Sequence, residues 1–179
     1  TLDLALVTHD DSRGGSEPVR REPILWVSSA NHTVHEREVL PMAFGRPNCL
    51  WRRTACAALE EEGRDYRVLF TSFSATVIAT AVLSGLAISV LPECALRPGM
   101  RVLGEADGFK ALPDCHIGLM RGHTGQAEII DALARHISES LDNLSVPAFL
   151  EENGSYDFNA AFLNSRNKRL RPGHLLNGW

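Results

Sequence analysis

Trp51-Arg52-Arg53 follows directly on a short apolar run, Asn48-Cys49-Leu50-Trp51, and opens a stretch with helical periodicity. Two guanidinium groups beside a helix N-terminus suit a carboxylate or a phosphate, because the opening amides and the helix dipole reinforce their positive field. Trp51 would then form an apolar wall. The competing reading leaves Arg52 and Arg53 solvated and Trp51 in the core, since arginine pairs are common on surfaces. Thr71-Ser72-Phe73-Ser74 has the same strand-to-helix geometry. There Ser72 or Ser74 caps the helix, and the other hydroxyl stays free for a ligand.

Other reactive side chains do not assemble into a catalytic pattern. His32-Thr33-Val34-His35 offers an i, i+3 pair, and Asp114-Cys115-His116 and His123 add candidates. A zinc site needs three or four ligands in one shell, and these lie in loops far apart, so neither a metal nor a cofactor is expected. The G-x-S-x-G elbow of a serine nucleophile is missing, as are the glycine-rich nucleotide loops. No base is paired with a cysteine in sequence. The expectation is a binding protein, not an enzyme. Four cysteines (Cys49, Cys56, Cys94, Cys115) without C-x-x-C spacing read as reduced thiols of a cytoplasmic protein.

The elements that must position these residues are legible between Asn48 and Pro92, which reads strand, helix, strand, helix, strand. Arg53 to Glu62 puts Ala55, Ala58 and Leu59 on one stripe, and Gly63 ends the helix. Tyr66-Arg67-Val68-Leu69-Phe70 is rich in strand formers and leads to a helix near Ser74. Two compact crossovers imply a small parallel sheet covered by helices, with ligands at the carboxyl ends of its strands. Leu40-Pro41-Met42-Ala43-Phe44 is a brief apolar piece whose proline places it at an element's start or a sheet edge. Met100 to Leu103 and Ile117 to Met120 read as strands, and Glu128 to Leu141 as an amphipathic helix. The 179 residues carry a net charge of -4, which gives no nucleic-acid footprint across the chain as a whole. Neither a membrane-length apolar run nor a secretory signal is visible.

The run Ala81 to Pro92, with a small residue before Gly85 and a Leu91-Pro92 ending, resembles the effector-binding domain of LysR-type bacterial transcriptional regulators. Leu2 to Val7, Arg21 to Val27, and Leu112-Pro113 through Leu119 with the helix from Gln126 to Leu141 fit the same pattern in the same order. The resemblance covers about Leu2 to Leu141. It implies an α/β fold of two Rossmann-like lobes, similar to type-2 periplasmic binding proteins. Residues 1–27 plus 93–141 would form lobe I and residues 28–92 lobe II, with a hinge at two crossings near Val27-Ser28 and Leu91-Pro92. The first lobe would be incomplete, the winged helix-turn-helix absent, and 142–179 an atypical tail.

The resemblance further implies a small, anionic effector held between the lobes by Thr8, His9, Ser28, Trp51, Arg52, Arg53, Ser72 and Phe73. Partners would be that effector, further copies in a dimer or tetramer, and DNA only through the absent domain, with no membrane. A peroxide-sensing branch of the family carries a reactive thiol near the position of Cys49, where a helix N-terminus and two arginines would lower its pKa. The other possibility there is an inert, buried strand cysteine. A rival from another class is a free-standing solute-binding protein that delivers a metabolite to a transporter. It would share the fold and the cleft.

Overall fold

The computed structural model describes residues 2–9, 14–122 and 127–142. Along the chain these form β1 (Leu4–His9), β2 (Glu17–Glu22), β3 (Ile24–Ser29), β4 (Leu40–Phe44), α1 (Leu50–Glu61), β5 (Tyr66–Thr71) and α2 (Ala75–Leu83). β6 (Ser89–Pro92), β7 (Met100–Leu103), β8 (Cys115–Arg121) and α3 (Ala127–Asp142) complete the order. His123 and the expected tail beyond residue 142 lie outside the described residues.

β4 and β5 pair in parallel through the α1 crossover. A parallel bridge from Met42 to Ile88 then lays the run into β6 along the other side of β4. Ala43 N–H donates to Ile88 O at 2.9 Å and Ile88 N–H to Pro41 O at 2.8 Å. β3 sits between β6 and β7, antiparallel to both. The result is one mixed layer whose two faces carry separate cores. Met42, Ile88, Val90 and Trp26 pack with Ala55 and Leu59 of α1, whereas Ala43, Ala87, Leu91 and Val27 pack with Ile78, Ala79 and Val82 of α2. Covered on both faces, β4 is buried at all five positions, while edge strand β5 alternates half-buried and exposed. A second, antiparallel sheet in the order β1-β8-β2 carries α3 and forms the other unit.

Three expectations need correction. Asn48 to Trp51 is not a strand. The chain turns at Gly45-Arg46-Pro47-Asn48, with Cys49 N–H donating to Arg46 O at 2.9 Å, and Leu50 and Trp51 already belong to the first turn of α1. The strand that precedes this helix is Leu40–Phe44, with Pro41 near its start, so Cys49 is a half-buried helix cap and not a strand residue. The Arg21 to Val27 run, expected as one strand crossing between the lobes, does cross there but is divided into two strands at Pro23, which has no N–H to continue a ladder. β2 joins the first sheet and β3 the second, and the chain crosses between units there. Finally, Met100 to Leu103 does not return to the first sheet; β7 pairs with β3 at Trp26 to Ser29, and the return comes at Cys115.

A buried carboxylate fastens this crossing. Glu22 is 1% exposed, takes a 2.5 Å hydrogen bond from Arg20 Nε, and accepts the Cys94 N–H at 2.8 Å. Glu93 N–H donates to Pro23 O at 3.0 Å, so the start of β3 and the end of β6 are tied together. Burial alone would push the Glu22 carboxyl up, but the bonds from Arg20 and Cys94 outweigh it and hold it below the usual range. Burial, with the Glu22 charge, raises the Glu93 carboxyl against the pull of Arg20. Burial and a hydrogen bond to Glu22 push the Cys94 thiol up to about 12.

Candidate ligand site

Strands β4 and β5 end at the same edge of their sheet, and each hands over to a helix there. Between the two handovers lies a cleft of about 390 Å³. Its walls come from the turn after β4, the first turn of α1, the loop into α2, and Ser89, Val90 and Leu91 of β6. Phe44, Trp51, Ile78, Val90 and Leu91 supply an apolar floor, while Arg46 and Arg52 supply charge with no acidic residue among the lining. Neither helix closes its own start with a side-chain cap: Cys49 and Ser74 make no such hydrogen bond, and neither first turn contains an acid. Both positive helix ends therefore face this cleft with their opening amides unneutralised by a carboxylate.

The polar lining differs in how far it is already committed. Arg52 is half-buried, donates to Gly45 O at 3.2 Å, and stands 5.8 Å from the Phe44 ring centre. Ser72 Oγ accepts the Ser74 N–H at 3.1 Å, a local turn that leaves the α2 amides uncapped. Ser89 Oγ donates to Ala43 O at 2.6 Å. Arg46 rests its guanidinium 4.3 Å from the centre of the Phe73 ring, and that ring is 78% exposed.

Of the residues expected from sequence, Trp51, Arg52, Ser72 and Phe73 come together in this cleft. Arg53 is exposed on α1 and does not line it. Ser28 is fully buried in β3 and also lies outside the lining. Thr8 and His9 sit in the first sheet, where His9 Nδ1 is 2.8 Å from Ser16 Oγ and its ring meets His116 edge-on. The lining comes from residues 44–91 alone. Arg46 and Asn48 were missed. Their signal was the Gly-Arg-Pro-Asn turn placed directly after an apolar run, once that run is read as a strand.

The histidines occupy separate environments. His32 Nδ1 lies 3.0 Å from Ser29 Oγ, whereas His35 is buried beside Arg101, 3.2 Å from its Nη1. Among the described residues no group of three or more His, Cys, Asp or Glu is placed to hold a metal ion.

Two α/β units linked at Pro23 and again before Cys115, with a mixed apolar and cationic cleft at strand ends, define a small-molecule-binding domain of the periplasmic-binding-protein type. The chain belongs to the LysR substrate binding domain family, whose pattern matches residues 1–141. It is 29% identical over 143 residues to the HTH-type transcriptional regulator DgdR of Burkholderia cepacia, covering 80% of this chain and 49% of that protein. The chain thus spans about half the length of the curated relatives it matches. Those relatives are transcriptional regulators, not enzymes, and they give the transporter alternative no support.

Among solved structures, the regulatory domain of HypT from Salmonella typhimurium in its apo form superimposes with a TM-score of 0.62 at 15% identity, covering 77% of this chain and 73% of that one. The effector binding domain of QuiR in complex with shikimate gives 0.54 at 14% identity, covering 77% and 72%. At such identities the likeness is one of fold.

Proposed function

We propose that this chain is the ligand-sensing part of a cytoplasmic LysR-type transcriptional regulator, and that a small anion occupies the cleft at the ends of β4 and β5. One observation carries the reading: two uncapped helix starts and two arginines converge on a single cleft whose lining contains no acid. Such a cleft stabilises negative charge without any chemical step. Ligand binding shifts the balance between arrangements of the two units by its differential affinity for them. That shift reaches DNA through a winged helix-turn-helix elsewhere in the parent protein, working as a dimer or tetramer. The binding of shikimate, a ring carboxylate, by QuiR's domain agrees with this type of ligand.

A thermal-shift panel on the full chain tests it, with small carboxylates and phosphates set against their uncharged amides and alcohols. An anion at a hundred times its Kd adds about 2.7 kcal/mol. For a domain of this size that raises Tm by roughly 5–10 °C. A panel in which no anion gives a saturable shift rejects the proposal.

A further inference from the structure

We infer that Arg46 pairs with the ligand's charged group, with Phe73 as the platform that holds it, and that this group is a carboxylate on an apolar body. The inference rests on the cleft being an anion site. Three arginines cluster on this side of the molecule, and they are not equivalent. Arg53 is outside the lining, and Arg52 already spends donors on Gly45 O beside the Phe44 ring. The Arg46 guanidinium makes no hydrogen bond or ion pair with any described residue. It lies over the ring of Phe73, which otherwise projects into solvent.

A guanidinium resting on an aromatic face is held by cation–π attraction, while its N–H donors remain free at its edge. That edge matches the two oxygens of a carboxylate in a bidentate fork. Ser89 spends its proton on Ala43 O, whereas Ser72 Oγ accepts the Ser74 N–H and keeps one proton to donate. One free fork, two uncapped helix starts and an apolar floor favour a monoanion with a hydrophobic body over a phosphate dianion, which needs more donors. Trp51, Ile78, Val90 and Leu91 would take that body.

Calorimetric titration of the full chain with benzoate, hexanoate, benzamide and inorganic phosphate tests the assignment, alongside R46A, R46K, F73L and R52A. Benzoate or hexanoate should bind wild type in preference to benzamide and phosphate. R46A should weaken the carboxylate roughly ten- to hundredfold, the loss of one charged hydrogen-bonded pair. R46K should recover part of this, since a point charge lacks the fork, and F73L should weaken binding several-fold with Arg46 intact. R52A should keep the preference for carboxylate over amide. Carboxylate binding unchanged in R46A but lost in R52A would overturn the role of Arg46 and leave the anion site standing. Preference for phosphate in wild type would overturn the carboxylate class alone. If no anion binds wild type, the anion site falls and this inference with it.

Discussion

Replacing Glu22 by Gln isolates what its charge contributes at the crossing between the two units. The substitution keeps the side-chain shape and an oxygen to accept the Cys94 N–H, but removes the partner of Arg20, whose side chain is only 10% exposed. Arg20 retains one acceptor, the Leu141 carbonyl on α3. Stripping one member from a buried ion pair costs roughly 3–5 kcal/mol, and the remaining acceptor places Glu22→Gln near the lower end, about 3 kcal/mol. That corresponds to a fall in Tm of roughly 6–12 °C for a domain of this size. Urea unfolding at pH 7 reads it as a lower midpoint with an unchanged slope. Because the folded carboxyl lies below its ordinary value, its stabilisation is present above about pH 4.3 and is lost as pH falls through the folded value. The gap between wild type and Glu22→Gln should therefore narrow in acid. Replacing both partners with apolar residues, Arg20→Met with Glu22→Leu, should recover most of the loss except about 1 kcal/mol for the unsatisfied Cys94 N–H. A Glu22→Gln protein within about 0.5 kcal/mol of wild type at pH 7, or a deficit equally large in acid, would refute the ion-pair reasoning.

Glu93 should behave in the opposite sense. Its folded carboxyl is raised by burial and by Glu22, so ionisation costs the folded state, and that cost grows as pH rises through the folded value. Glu93→Gln should raise the urea midpoint at pH 7 and leave it unchanged in acid; a lower midpoint at pH 7 would contradict this. Gly85 ends α2 at φ +65°, with its N–H on Val82 O and the Leu86 N–H on Ala81 O. A Cβ there is strained by about 1–2 kcal/mol and also collides with the His32 ring. Gly85→Ala should lose more stability than that alone, and adding His32→Ala should restore only the part due to collision, both read by thermal melts.

Sequence patterning revealed β5, α2, β8 and α3 because each has one clear period and clean terminators. Gly63 follows α1, Ser74 precedes α2, and the apolar stripe of α3 runs from Ile129 to Ile137. It misplaced the strand before α1, because Leu40–Phe44 is buried on both faces and shows no alternation, while Leu50 and Trp51 look strand-like beside Cys49. The position of that strand decides which loop reaches the cleft. Reading it eight residues late therefore hid Arg46 and Asn48 but still caught Trp51 and Arg52. Ser28, Thr8 and His9 were named through family likeness alone, and nothing in their local spacing could tell a lining residue from a sheet interior or a distant sheet edge. Pro23 carried the clue to the division between units, since only a break in the ladder lets one apolar run serve two sheets.

Within the second unit β3 is bonded to β6 along one edge and to β7 along the other, so the strand that receives the chain after Pro23 is the middle of a ribbon three strands wide. A ribbon of that kind resists bending in its own plane and yields most easily to torsion. A torque delivered at Pro23 is therefore shared by all three strands at once.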